Sequence, residues 1–338
     1  MRFDRTAPGG GVAVESHIEN GKVFLEFAFC FEEPKEQSRE VKVHNRNHMW
    51  NHETESNLGD RNGYYVKLQM WNMCGKMVFA CQYPLKEEEP AKGLLLHPHL
   101  WHGVEDAYVY RLKASLMEKA NVLDELERSI PLYTMEQIPN KGWLLNGKAF
   151  CIRGVSYRMP SGVMEEAVLQ KRIIRDLSLM QKIGANTLFL PTDVIAGNLF
   201  AYADVAAGDI SVVQNGIRTQ WFHELCDRMG FVVCPNTFGT EDMPKWEEMD
   251  CAYYRALWSN EPFVDIQTQS LKRQENGNYS VMVYSNQKKV ALYVQGVLFE
   301  FRVGETEFLF EEIVVKKWPL LLAAEAGDCC VSVTVYPR

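Results

Sequence analysis

Three acidic residues stand where they could do chemistry. Glu261 lies in "LWSNEPFVDI", residues 257 to 266, as an Asn260-Glu261 pair soon after a tryptophan, and Glu241 and Asp242 share the turn-like "GTEDMP". Cleavage of an acetal with retained configuration needs two carboxyl groups about 5 Å apart, one a proton donor with a raised pKa and one a nucleophile. Pro262 restricts Glu261 to an extended conformation, and the preceding "MDCAYYRALW" reads as helix or loop, not as a strand whose end would aim a carboxylate. Glu241 and Asp242 sit where solvated carboxylates are ordinary. Trp50, in the polar "NHMWNHE" segment, and Tyr157 with Arg158, after "GVS", are the residues best suited to meet a sugar: rings stack on sugar faces and a guanidinium binds hydroxyls. None of the three acids is thereby assigned a catalytic role.

Composition narrows what these residues serve. A chain of 338 residues is long enough for two or three domains. Its net charge of -8 and lack of long Lys or Arg runs argue against nucleic acid as a partner. No apolar run reaches the roughly 20 residues that span a bilayer, and the first residues lack a signal-peptide core, so the expectation is a cytoplasmic protein without a membrane partner. Nine cysteines is an odd number, and "FAFCF" and "FVVCP" read as buried thiols in a reducing compartment. Cys329-Cys330 has no His or second Cys at ligand spacing and reads as core packing. His48 and His52, four apart in a polar loop, would need a helix and a third ligand to hold a metal. No metal and no cofactor is expected.

Three regions position these side chains. Residues 1–138 alternate apolar and polar in "KVFLEFAF", "YYVKLQMW", "KMVFACQY" and "AYVYRLKASL", each a strand with one buried face, and predict a β-sandwich. Residues 139–258 open on a hairpin turning at Asn146-Gly147. Ser161 then offers a cap to a helix whose Leu169, Ile173, Leu177 and Met180 share a face and which Gly184 closes. "ANTLFLP" reads as a strand, "TQWFHELCDRMG" as a helix and "FVVCPN" as a strand, an alternation suited to a parallel sheet covered by helices. Residues 259–338 return to period two in "YSVMVYSN", "KVALYVQGVLFEF", "FLFEEIVV" and "CCVSVTVYP", predicting a second sandwich.

Five of these words, in order, resemble the family 2 glycoside hydrolases, which include β-galactosidases and β-glucuronidases. "HPHLWHGVEDAYVYRLKASL" resembles the end of that family's immunoglobulin-like domain, and "GWLLNGKAFCIRGVSYR" its entry into the catalytic barrel. "KIGANTLFLP" and "CDRMGFVVCPN" are similar to the second and third barrel strands with their preceding helix ends, and "VMVYSNQKKVALYVQG" to an appended sandwich in which an asparagine usually stands at Gln295. The resemblance implies a multidomain β plus α/β chain: sandwich, (β/α) barrel, sandwich.

It also implies what should be there and is not. The family's two carboxylates end later barrel strands, yet only "TFGTEDMPKWEEMDCAYYRA" separates the third strand from the carboxyl-terminal region. A complete (β/α)₈ barrel takes at least ~200 residues, and residues 150 to 258 supply about half of that. Where the family shows Gly-Val-Asn-x-His this chain reads Gly154-Val155-Ser156-Tyr157-Arg158, and Phe189 and Thr192 replace a usual Arg and His. The resemblance therefore implies a truncated barrel and a protein of carbohydrate metabolism without glycosidase activity, binding a carbohydrate or a protein. The open strand edges of such a barrel would be covered by the chain's own segment 191–258, by a second copy or by a partner chain. The competing expectation is an active retaining β-glycosidase with a site rebuilt from Glu241, Asp242 or Glu261, or shared with a neighbouring chain.

Overall fold

The computed structural model describes residues 1–5, 8–32, 63–85, 91–139, 142–160, 165–190, 216–235 and 243–337. In chain order, strands β1 (Val12–Glu19), β2 (Lys22–Phe29), β3 (Tyr64–Trp71), β4 (Met77–Pro84), β5 (Ala91–Leu96), β6 (Val109–Glu118) and β7 (Asn121–Pro131) come first. Then follow β8 (Met135–Ile138), β9 (Gly142–Leu145), β10 (Lys148–Phe150), β11 (Gly154–Ser156), helix α1 (Glu166–Lys182), β12 (Thr187–Leu190), helix α2 (Gly216–Met229), β13 (Val232–Pro235) and helix α3 (Cys251–Trp258). The last strands are β14 (Val264–Arg273), β15 (Tyr279–Ser285), β16 (Lys289–Val294), β17 (Val297–Val303), β18 (Glu307–Ile313), β19 (Leu320–Ala326) and β20 (Cys329–Val335). The chain forms two compact units, Met1–Ile152 with Thr187–Glu241, and Arg153–Asn186 with Asp242–Arg338.

In the first unit, a three-stranded sheet of order β1-β2-β5 and a four-stranded sheet of order β4-β3-β6-β7 enclose one apolar core. The alternation that predicts these strands also fills the core: Val23, Leu25 and Phe27 of β2 and Val66, Leu68 and Met70 of β3 are fully buried, with polar residues between them. β1 and β2 turn at Asn20-Gly21, both at positive φ, as a two-residue hairpin requires. The amino terminus is tied down: Phe3 is buried, its N–H donates to Asp124 Oδ2 at 2.8 Å, and Arg5 pairs with the same carboxylate at 2.8 Å.

Behind the sandwich, β8, β9 and β10 form an antiparallel sheet whose β9–β10 hairpin turns at Asn146-Gly147 as expected. Asn146 does more than turn. Its Oδ1 accepts from the Thr134 N–H (2.9 Å) and its Nδ2 donates to the Trp101 carbonyl (2.8 Å). β12 and β13 pair in parallel, with α2 in the chain between them, so the expected strand–helix–strand alternation is present here. All four residues of β12 are buried, which is why the run is apolar without alternation. Trp101, Leu145 and Val232 make a second small core. The fully buried Trp101 donates its indole N–H to the Asp227 carbonyl at the end of α2 (2.7 Å). Where α2 ends, Gly230 has φ +82, and an added Cβ would lie 2.4 Å from the Gly103 carbonyl oxygen.

In the second unit, α1 buries Ile173, Leu177 and Met180, three of the four residues expected on that face, and ends at Gly184 with φ +91. Its first residue is Glu166; Ser161 lies outside the described residues. At Gly184 an added Cβ would meet the Trp258 carbonyl carbon at 2.8 Å. Arg153 and Asn186 clasp each other through the Arg153 N–H to Asn186 Oδ1 (2.8 Å) and the Asn186 N–H to the Arg153 carbonyl (3.0 Å), and the Arg153 guanidinium donates to the Trp258 carbonyl. "MDCAYYRALW" is helical as α3, capped by Asp250, which accepts from the Ala252 and Tyr253 N–H groups. The carboxyl-terminal sandwich stacks sheets of order β14-β15-β18 and β17-β16-β19-β20 around Val281, Val283, Val290, Leu292, Phe308, Phe310 and Leu322. All nine cysteines are unpaired thiols. Cys329 packs on this core as expected, whereas its neighbour Cys330 is exposed, because adjacent strand residues point to opposite faces.

Two glycines with similar φ separate a steric effect from a backbone one. Gly147 (φ +75) has nothing within 4 Å of an added Cβ, so Gly147→Ala should cost about 1 kcal/mol from the left-handed backbone alone. Gly230→Ala meets the Gly103 backbone as well and should cost clearly more in chemical denaturation. Equal losses would show that the Gly103 contact is not tight.

Candidate functional site

Trp50, Glu241, Asp242 and Thr192, like His48 and His52, lie outside the described residues. Tyr157, Arg158 and Glu261 are all in the second unit.

Tyr157 follows β11, whose Ser156 donates its N–H to the Pro244 carbonyl at 2.9 Å. The tyrosine is 1% exposed, and its hydroxyl donates to Asp176 Oδ2 on α1 at 3.3 Å. As placed, its ring presents no open face for a sugar. Arg158, one residue on, is exposed. Asp176 also belongs to an open groove on the outer side of α1, together with Lys171, Arg172, Arg175 and Leu179. Three exposed cations in two turns make this groove cationic within an acidic chain.

Glu261 sits in the exposed connection between α3 and β14. Its main chain holds the structure there. The Glu261 N–H donates to Ser259 Oγ (3.1 Å), and its carbonyl accepts from Asn286 Nδ2 (2.6 Å). Asn286 also accepts from the Phe263 N–H (2.8 Å) and donates to the Ser259 carbonyl (3.0 Å), so one side chain pins the junction to the sandwich. Among the described residues, no hydrogen bond or ion pair is made by the Glu261 carboxylate, and no group of three His, Cys, Asp or Glu could hold a metal ion. Phe189, at the position where the resembled family has an arginine, is 6% exposed in β12.

The most perturbed ionisable groups lie elsewhere, on α2 in the first unit. Gln220, His223, Glu224 and Asp227 recur at helical spacing, and the face they form turns toward β7. Arg128 of β7, 7% exposed, donates to Glu224 Oε1 at 2.9 Å and to the Val12 carbonyl at 3.3 Å. Gln220 donates to the same Glu224 oxygen at 3.0 Å. Burial, reinforced by the Arg128 charge, pushes the His223 imidazole down to about 4. Burial and the Glu224 charge push the Asp227 carboxyl up to about 7 against the pull of Arg128 and Arg228. Such shifts mark functional sites often enough to be tested and structural ion-pair networks equally often. The cluster's hydrogen bonds tie α2 to β7, and Asp227 uses its carbonyl to hold Trp101. The sequence carried a signal for it: a polar i, i+3, i+4, i+7 row on a helix whose buried Phe222 and Cys226 lie on the adjoining face.

No family model matches the chain. A β-glucuronidase of Bacteroides fragilis is 29% identical over 97 residues, 29% of this chain and 14% of that protein. The β-galactosidase BoGH2A of Bacteroides ovatus is 26% identical over 164 residues, 48% of this chain and 16% of that protein. The crystal structure of an FMN-binding β-glucuronidase from Faecalibacterium prausnitzii aligns over 99% of this chain and 75% of its own, with a TM-score of 0.67 at 13% identity. The fold is thus that of multidomain, sandwich-rich glycosidases. By sequence and fold together, the chain is a family 2 glycoside hydrolase-like protein. Its matches span about one sixth of the length of the curated relatives. No helix among the described residues is long and apolar enough to cross a membrane.

His223 and Asp227 make opposed predictions about pH. The folded histidine resists a proton that the unfolded chain, near 6.5, accepts, so its contribution is complete above about 6.5 and is lost as pH falls toward 4. The folded carboxyl keeps a proton that the unfolded chain, near 3.8, gives up, so its contribution is complete below that value and is lost as pH rises through about 7. Each full shift is worth about 1.4 kcal/mol per pH unit within its window. From pH 4 to 6.5 the two oppose each other. Relative to wild type, Asp227→Asn should make stability rise more steeply with pH over this interval, and His223→Gln should make it fall. Urea denaturation at intervals of half a pH unit checks both signs.

Proposed function

We propose that this protein is a family 2 glycoside hydrolase-like, non-hydrolytic member of carbohydrate metabolism, built as two immunoglobulin-like sandwiches with a truncated barrel segment over residues 139–258, and that it binds a carbohydrate or a protein. The observation that carries the proposal is the setting of Glu261. It is exposed, its carboxylate is unengaged among the described residues, and its backbone is committed to the Asn286 junction. A general acid needs the reverse: a carboxyl held in a partly desolvated pocket opposite a second carboxylate. The burial of Phe189 and Tyr157 supports the same reading, because neither can act there as the charged or polar sugar clamp that orients a substrate.

The similarity to a β-glucuronidase and a β-galactosidase supports a glycoside as the class of ligand, with Arg158 and Trp50 as contact candidates. The nine unpaired thiols fit a reducing cytoplasm. For edges of the barrel segment, we propose cover from residues 191–258 themselves or from another chain.

Incubation with a panel of aryl β-glycosides, β-glucuronides and β-galactosides included, should release no aglycone, and Glu261→Gln should leave that result and the thermal stability unchanged. Turnover abolished by Glu261→Gln, Glu241→Gln or Asp242→Asn would establish the hydrolytic alternative. A thermal-shift screen with the free sugars should give a positive shift that Arg158→Ala diminishes if a carbohydrate is the ligand.

A further inference from the structure

The carboxyl-terminal sandwich exposes one edge that is unusual in composition. β17, "VLFEFRV", is the end strand of its four-stranded sheet, pairing with β16 alone, and contains neither glycine nor proline. Val297, Leu298, Phe301 and Val303 are 70%, 49%, 54% and 76% exposed. Among the described residues, nothing pairs with its outer side. A long apolar edge of this kind is a template for another strand.

The ladder fixes which backbone groups are available. Gly304 donates its N–H to the Lys288 carbonyl at 3.0 Å, one step beyond the Val303–Lys289 pair. Hydrogen-bonding direction alternates along an antiparallel strand, so Arg302 and Glu300 turn their N–H and C=O toward β16, while Phe301 and Val303 turn theirs outward. Side chains alternate as well. Arg302 and Glu300 stand opposite the buried Val290 and Leu292, on the core side of the sheet, and pair with each other at 3.3 Å. Phe301 stands opposite Ala291 on the outer side, under the Lys289 ammonium at 4.1 Å.

Charge then selects the occupant. If β17 pairs antiparallel with β17 of a second copy about a twofold axis, three centres lie within the strand's charged half. Centring on Glu300 sets Glu300 against Glu300 of the second copy, and centring on Arg302 sets two guanidinium groups together. Centring on Phe301 instead places each Glu300 opposite Arg302 of the other copy. It also makes Phe301 a reciprocally bonded pair through its outward N–H and C=O. Only this register joins two unlike charge pairs, the outward backbone groups and two exposed Phe301 rings at once.

We infer that β17 is a homodimerisation edge: two copies of this chain pair β17 to β17 in antiparallel register centred on Phe301, joining their four-stranded sheets into one. This is independent of whether the chain binds a sugar or hydrolyses one.

Sedimentation velocity over two decades of protein concentration should show wild type moving from one to two chain masses. Glu300→Arg and Arg302→Glu each set like charges opposite one another at both symmetry-related positions, and each should weaken self-association by about tenfold or more. The double variant Glu300→Arg/Arg302→Glu restores both unlike pairs and should recover association. Mixing the two single variants should do the same, because one chain then carries a guanidinium at both positions and faces a chain that carries a carboxylate at both. Recovery on mixing also shows that the single variants are folded. A wild type that stays at one chain mass throughout, or single variants that associate as wild type does, would overturn the inference.

Discussion

The first unit depends on how one helix end is held. Trp101 has no exposed surface, so its indole N–H must find an acceptor inside the protein, and it finds the Asp227 carbonyl in the last turn of α2. The same carbonyl also accepts from the Gly230 N–H at 3.2 Å, so one helix-end acceptor serves both the indole and the turn that closes α2. Everything near it conforms: Asn146 holds the Trp101 carbonyl from the β9–β10 turn, Gly230 passes against Gly103 without a side chain, and Arg128 reaches from β7 to Glu224. The sandwich, the small hairpin sheet and the parallel pair β12–β13 therefore form one compact unit, not a bead followed by another bead.

The cost of this arrangement is a set of ionisable groups taken out of water. Arg128, His223, Glu224 and Asp227 are packed between helix and sheet, where each ionised group needs a partner. Their displaced protonation equilibria follow from that packing and from one another's charges. A strongly shifted carboxyl in a glycosidase-like fold invites a catalytic interpretation, and the surroundings of Asp227 argue for a structural one. A pKa shift reports an environment, and a role in chemistry requires access as well.

The second unit shows the same separation at Glu261. A tryptophan, an asparagine and a glutamate in close order suggest an acid, and the structure uses the glutamate's backbone to join α3 to the sandwich while its carboxylate faces solvent. In the same sandwich, the edge strand β17 sets Glu300 and Arg302 on the face opposite Phe301, a distribution that suits pairing with a copy of itself.

Local periodicity was enough to identify most of the elements. Period two in "KVFLEFAF" and "YYVKLQMW", the Asn146-Gly147 turn, the i, i+4 spacing of Ile173 and Leu177 and the glycine that stops α1 are each consequences of neighbouring residues, and each is present as expected. Strands such as β1, β5, β14 and β19 were harder to see: β14 interrupts its apolar residues with polar ones, and β5 and β19 hold apolar runs without a clean period of two. The family resemblance was legible from five short words whose order mattered more than any one of them. The fates of individual side chains were decided only by the tertiary structure: Tyr157 is buried on Asp176, Asn146 bonds to Trp101, and a row of polar residues on α2 becomes an enclosed ion cluster. Partners 19 to 96 residues apart set these outcomes, and no local pattern encodes which distant group will stand within hydrogen-bond reach.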